Sequence, residues 1–196
     1  VAEHIADYCE TKESEIDIST KLINEFVDKE QAKLDYLLEI KENPESPYPL
    51  RHAMENIMME KVGIFRNEGD LQEAVDELEQ LLIRSRNIEV KHKTLTANPE
   101  LVNAYRVQRM LKLAVCVAKG ALERRESRGA HAREDYVERN DKDFLNRTIT
   151  SWPDENQTMP TMTYEPIDIK TMELPPGFRG YGKDMTIKNE ESKKRQ

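Results

Sequence analysis

The first 62 residues contain no glycine, and their apolar residues recur every three or four positions. That pattern reads as amphipathic helix, because one stripe at this spacing faces a core. Ile18, Leu22 and Phe26, then Leu34, Leu37 and Leu38, predict one helix from about Ser19 to Ile40. Pro44, Pro47 and Pro49 interrupt it, since proline lacks the N–H that helix interiors need. Pro49 can open the next helix from its first position. Leu50, Met54, Ile57, Met58, Val62 and Phe65 form that helix's apolar face, Gly63 weakens it, and Asn67-Glu68-Gly69 ends it. Asp70-Leu71-Gln72-Glu73 resembles a capping box with Asp in place of Ser or Thr. Leu71, Ala74, Val75, Leu78, Leu81 and Leu82 carry a third stripe to about Arg86.

Residues 87–97 have no clear period. Asn98-Pro99-Glu100 combines an N-cap, a proline at the first helical position and an acid in the first turn. The longest helix is expected from there to about Arg125. Its apolar band comprises Val102, Tyr105, Arg109, Leu113, Val117 and Leu122, with Met110, Leu111, Ala114, Ala118 and Ala121. The alanines permit close helix approach, and if that face is uncovered it favours self-association. Gly129 ends the regular part, and one more short helix is expected from Asp141 to Thr148. From Ser151 the pattern changes. Met162, Tyr164, Ile167 and Ile169 predict a strand, an edge strand because of Pro166. Leu174 to Gly182 reads as an ordered turn rich in Pro, Gly and aromatics, and Lys188 to Gln196 as a frayed end. The expected fold is mainly α: a bundle of three to four long antiparallel helices, then an extended tail with one or two short strands.

Charge excludes some functions. Thirty Lys+Arg against 38 Asp+Glu leave a net charge of −8, which argues against nucleic acid as a partner. Residues 101–140 reverse the balance, with nine bases and five acids. No run of about 18 apolar residues is present to span a membrane as a helix. Cys9 and Cys116 form no CxxC, so neither a disulfide framework nor a zinc site is suggested. Val1 stands within what already reads as helix, and the chain is read as a piece of a longer protein.

No Walker loop, GxSxG or HExxH occurs, and Gly177, Gly180 and Gly182 have no following helix to make a dinucleotide fingerprint. Glu89 and His92 form a single ExxH in an aperiodic stretch, where a solvated histidine is the plain reading; a di-iron bundle would need a second. His52 and Glu55, one turn apart, suit a local ion pair. No metal site is expected. The dense segment is Arg124 to Tyr136, with four arginines, one histidine and three acids in 13 residues. Arginine forks fit carboxylates and phosphates, and nearby acids can hold them in place. Two readings stand: a salt-bridge knot pinning the helix end to a neighbouring domain, or an anion-binding or cofactor-proximal loop.

Glu126-Ser127-Arg128-Gly129-Ala130-His131-Ala132-Arg133-Glu134-Asp135 resembles the ESRGAHxRxD signature of succinate dehydrogenase and fumarate reductase flavoprotein subunits. Val62-Gly63-Ile64-Phe65-Arg66, Asp141, Phe144-Leu145 and Thr148 are similar to the same family, as are Leu174-Pro175-Pro176, Arg179 and Tyr181 in its PPxxRxYG tail. The likeness covers nearly all of the chain and is greatest to fumarate reductases of the epsilon-proteobacterial type. Val137, Asn140, Phe144 and Arg147 depart from common family residues and bear on the branch. L-aspartate oxidases share a related signature, and a helical scaffold without chemistry is the other alternative.

The resemblance implies a parent enzyme in which an upstream domain binds FAD and a capping domain closes over a dicarboxylate, fumarate or succinate. It implies an iron–sulfur subunit and a membrane anchor as partners, quinone chemistry in that anchor, and a peripheral place on the cytoplasmic side of the inner membrane. On it, residues 1–12 are the end of a flavin-domain helix, 13–150 the helical domain and 151–196 the C-terminal segment. No catalytic residue and no FAD site is expected in this part. Arg128, His131, Arg133 and Asp135 are expected to act as a structural pin to the flavin domain.

Overall fold

A computed structural model describes residues 2–11, 19–94 and 96–167. Among these residues six helices and four short strands follow in the order α1 (Ala2–Thr11), α2 (Thr20–Leu38), α3 (Pro47–Lys61), β1 (Phe65–Arg66), α4 (Glu68–Ser85), α5 (Pro99–Glu123), β2 (Ala132–Arg133), α6 (Asp141–Phe144), β3 (Asn146–Ser151) and β4 (Thr161–Pro166). The fold is mainly helical with a few short strands. The turn expected from Leu174 to Gly182, Ile169 and the terminal stretch from Lys188 lie outside the described residues.

The core lies where α3, α4 and α5 pack on one another. All six stripe residues of α4, Leu71, Ala74, Val75, Leu78, Leu81 and Leu82, are buried. Each fully buried leucine contributes about 1.5–3 kcal/mol of transfer free energy. On α5 the buried face is Leu101, Ala104, Val107, Leu111, Ala114, Val115, Ala118 and Ala121. It is rotated from the expected one: Val102, Leu113 and Val117 are exposed, Leu113 by 65%. The helix has two apolar seams, and the alanine-bearing one takes the core because small side chains let α4 approach closely. The small-residue face is therefore covered.

Other boundaries shift for local reasons. α3 begins at Pro47, after Ser46, rather than at Pro49. It ends at Lys61, and Phe65 leaves the expected helical face for strand β1, where it is 71% exposed. A Cβ on Gly63 would stand 2.8 Å from the Met59 carbonyl oxygen, so the tight exit from α3 needs glycine here. The N-cap of α4 is Asn67, whose side chain accepts from the Asp70 N–H; Asp70 itself lies inside the helix. The aperiodic 87–97 stretch supplies two fully buried residues, Ile88 and Val90. Ile88 bridges to Glu45, and the Val90 N–H donates to the Leu37 carbonyl. Asn98 caps α5 as expected, accepting from the Leu101 N–H. On α3 the one-turn ion pair is Arg51 with Glu55, not His52 with Glu55.

α2 departs most from expectation. Leu37 is buried, but Leu22, Ile23, Phe26 and Val27 are exposed, Phe26 by 60%. The expected helix from Asp141 to Thr148 stops at Phe144, and Asn146–Ser151 pairs antiparallel with Thr161–Pro166. The β-branched Thr148, Ile149 and Thr150 favour that strand. The hairpin straddles the boundary drawn at residue 150, and Trp152 and Met159 in its loop pack against the core.

Candidate functional site

The dense arginine segment begins where α5 ends. A helix C-terminus leaves carbonyls without partners, and here they need donors from outside the helix. Arg133, 2% exposed, supplies them: its Nη1 donates to the carbonyls of Ala121 at 3.0 Å and Leu122 at 3.1 Å. The rest of its fork meets Asp135, Nε to Oδ1 and Nη2 to Oδ2, both at 2.7 Å. Asp135 Oδ2 also accepts from the Glu68 N–H, in the first turn of α4, at 2.8 Å. The Arg133 guanidinium holds the Asp135 carboxyl down at about 2, despite partial burial.

The third helix end is joined through Arg66 and His131. Parallel pairing of β1 with β2 sets Phe65 opposite Ala132 and Arg66 opposite Arg133. Arg66 Nε donates to the carbonyls of Val62 and Gly63, just past α3. Its Nη1 lies 2.8 Å from His131 Nδ1, and His131 Nε2 lies 2.9 Å from the Arg124 carbonyl. Arginine can only donate and a carbonyl can only accept, so the ring is neutral with its proton on Nε2. Burial pushes the His131 pKa down; the carbonyl of Arg124 opposes this, and the charges of Arg66, Arg133 and Arg124 add to it.

A second group surrounds Glu126, whose side chain is fully buried. Arg128 grips it with two bonds, Nε to Oε1 at 2.7 Å and Nη2 to Oε2 at 3.0 Å. Arg124 Nη1 adds a third at 2.7 Å and the Asn140 N–H a fourth at 2.8 Å. Burial pushes this carboxyl up, but Arg128, the Asn140 amide and Arg124 outweigh it and hold it below the usual range. Arg128 also reaches Asp141 Oδ1 at 2.7 Å, and Arg139 takes the other oxygen at 2.9 Å. Arg124 extends the group to the Phe144 carbonyl, to Asn146 and to the Thr148 hydroxyl. A tight turn closes the segment: Arg128 and His131 exchange backbone bonds at 2.8 and 3.0 Å around Gly129, whose φ is +59°. Glycine at the first central position suits such a turn.

Arg128, His131, Arg133 and Asp135 thus come together in one junction. What they bind is this chain itself: the ends of α3 and α5, the start of α4, and the entry to α6 and β3. Sequence reasoning left Arg66, Arg124, Glu126 and Asp141 out of the expected pin. Arg66 lies 65 positions from His131, and no local spacing links them. Glu126 and Arg124 were legible as part of the dense run, but their burial was not.

Every buried side-chain nitrogen and oxygen among the described residues has a hydrogen-bond partner. The four described glycines form no cradle: Gly63 faces the Met59 carbonyl, Gly69 the Asn67 side chain, Gly120 Met162, and Gly129 open space. No described His, Cys, Asp or Glu group of three or more could hold a metal ion. Glu89 pairs with Lys93 and the Lys41 N–H, and the His92 carbonyl accepts from Asn98. Beside the junction lies an open hollow of about 750 Å³ lined by Arg125 and residues 136–142.

The profile of the fumarate reductase flavoprotein C-terminal family matches residues 51–181. The chain is 48% identical to the fumarate reductase flavoprotein subunit of Helicobacter pylori strain J99, over 93% of the chain and 25% of the relative. It is 35% identical to that of Haemophilus influenzae, over 72% of the chain and 23% of the relative. Among solved structures it superposes on an Escherichia coli quinol fumarate reductase chain with a TM-score of 0.73 and 27% identity, covering 82% of this chain and 27% of that one. Adenylylsulfate reductase from Archaeoglobus fulgidus shares the fold, with a TM-score of 0.60 at 18% identity. The chain spans about a quarter of the length of the relatives it matches.

Proposed function

Because the chain belongs to the fumarate reductase flavoprotein family, as a C-terminal part, we propose that it braces an FAD-dependent subunit interconverting fumarate and succinate. The observation that carries the bracing role is the junction itself. Three helix ends meet through side chains bonded to one another and to the helix termini, so the helices form one rigid block. Dicarboxylate chemistry needs groups held to within about 0.5 Å, and a rigid neighbour serves that need. The reaction itself belongs to the parent's other three-quarters, which hold the flavin and the substrate.

The face offered to that larger part lies around the junction. Ile64 and Phe65 are more than 70% exposed beside β2, and Val137 is equally exposed in the adjoining hollow. Apolar side chains grouped around a rigid polar corner suit docking against another domain. Arg128, His131, Arg133 and Asp135 hold this face rigid from behind, so that the block can be pinned to the flavin domain, and stay clear of substrate. Residues 1–12 then continue a flavin-domain helix, and 13–150 form the block together with the hairpin that crosses into the 151–196 segment. The parent works with an iron–sulfur subunit and a membrane anchor, peripherally on the cytoplasmic side of the inner membrane. Among the described residues no helix is long and apolar enough to cross one.

The test is the full-length protein. It should carry flavin, co-purify with an iron–sulfur protein, and oxidise a reduced dye when fumarate is added. A full-length protein with no flavin, or one that turns over L-aspartate and not fumarate or succinate, contradicts the reading.

A further inference from the structure

At the edge of the core, beside buried Leu37 and Leu82, a hollow of about 390 Å³ opens between α2, the end of α4, α5 and Glu155 of the 152–157 loop. Lys33, Arg86, Arg109 and Lys112 line it, against one lining carboxylate, Glu155. The nearby acids are already engaged. Glu155 accepts from Lys29 at 3.2 Å and Lys33 at 3.1 Å. Glu30 accepts from Lys33, Arg109 and the Tyr105 hydroxyl, and those bonds hold its carboxyl at about 2.

Arg86 and Lys112 are left without an acid. Arg86 donates to the Asn156 carbonyl and Lys112 to the Glu155 carbonyl at 3.3 Å. Among the described residues no carboxylate lies within ion-pair distance of either. Backbone carbonyls satisfy a donor but do not cancel its charge. The ammonium of Lys112 also stands 5.3 Å from the Trp152 ring. Burial pushes its pKa down; the Glu155 and Asp154 charges oppose this, while Lys33 and Arg86 add to it. Lys112 is thus held partly out of water beside other cations and with no acid paired to it, an arrangement that a bound anion would complete.

We propose that this hollow binds a small oxyanion with two or more anionic oxygens, of the phosphate or polycarboxylate type, bridging Lys112 and Arg86. Lys112 has three ammonium protons and Arg86 five N–H groups, so both keep donors for such a ligand. Gln108, whose amide nitrogen already donates to the Ser85 carbonyl, keeps a second N–H for the ligand. The volume sits at the lower end of the ~300–1,000 Å³ usual for ligand sites, which suits a compact anion rather than a dinucleotide. The site is independent of the arginine junction and of the proposed parent reaction.

Equilibrium dialysis of the intact flavoprotein tests it, with radiolabelled phosphate in one arm and citrate in the other, at fixed ionic strength so that screening is constant. The wild type should bind one equivalent more than Lys112→Gln in at least one arm, and Lys112→Arg should restore it. Arg86→Gln should weaken that equivalent about tenfold or more, the expected loss of a charged hydrogen bond. Retention in the phosphate arm identifies an inorganic or phosphoester ligand, and in the citrate arm a polycarboxylate. Equal binding by wild type, Lys112→Gln and Arg86→Gln in both arms overturns the proposal.

Discussion

Arg133 and Asp135 meet fork to fork through two bonds of 2.7 Å, and through that pair the carbonyl end of α5 is tied to the amide end of α4. The two helix ends carry opposite partial charges, so the cation sits on the negative end and the anion on the positive one. Removing Arg133 strands a carboxylate and a set of helix carbonyls at once. Arg133→Met should cost about 3–5 kcal/mol, as for other broken buried pairs. That corresponds to a fall in Tm of roughly 10 °C by calorimetry. Arg125→Ala, which removes only an exposed pair with Glu68, is the contrast and should cost less than about 1 kcal/mol.

Acid should loosen the junction before it unfolds an unrelated helical domain. Asp135, Glu126 and Asp141 all have carboxyl pKa values below their ordinary ones. Groups depressed by folding stabilise it above their unfolded pKa, and that stability is lost as pH falls through the folded value. For Asp135 the window runs from about 4 down to about 2. Asp135→Asn should flatten the fall of Tm across that window, and an unchanged slope would remove Asp135 from the account.

His131 should act near pH 6. Its folded pKa is lowered, so the unfolded chain takes up the proton more readily than the folded one. Stability should therefore decline as pH drops below the unfolded value of about 6.5. Protonation would also turn Nδ1 into a donor facing the Arg66 guanidinium. His131→Gln should remove the decline in Tm between pH 7 and 5.5, at the expense of a lower Tm at pH 7.

Gly129 needs its positive φ but not its space, since nothing lies within 4 Å of an added Cβ. Gly129→Ala should cost about 1–2 kcal/mol through backbone strain alone, and Gly129→Asn less, because asparagine tolerates that region. Denaturant midpoints of the two variants check the order. Equal and near-zero costs would show that the turn can relax.

The helices were legible because their signals are local. The α4 stripe and the Asn98-Pro99 start are set by spacing and capping within a few residues. The face of α5 was not, since apolar residues surround it and only packing against α4 selects the seam with alanines. α2 misled for the opposite reason: its stripe is real, but Phe26 and Val27 face no described neighbour that buries them. The arginine run could be read as a knot or an anion loop. Its contacts within the chain include Arg66, brought from far along the chain by a two-residue strand whose only sequence signal is Phe65. The swap of helix for strand at Thr148 follows from the β-branched run Thr148 to Thr150 together with its pairing with β4, a partner that lies beyond any local window.

The central claim is that the junction holds structure and does not touch the reacting dicarboxylate. Arg128→Gln in the full-length flavoprotein tests it most directly, with Tm, flavin content and turnover per bound flavin measured on one preparation. The account predicts a lower Tm and less retained flavin, with turnover of each flavin-loaded molecule unchanged. Wild-type Tm and flavin content together with lost turnover would contradict it.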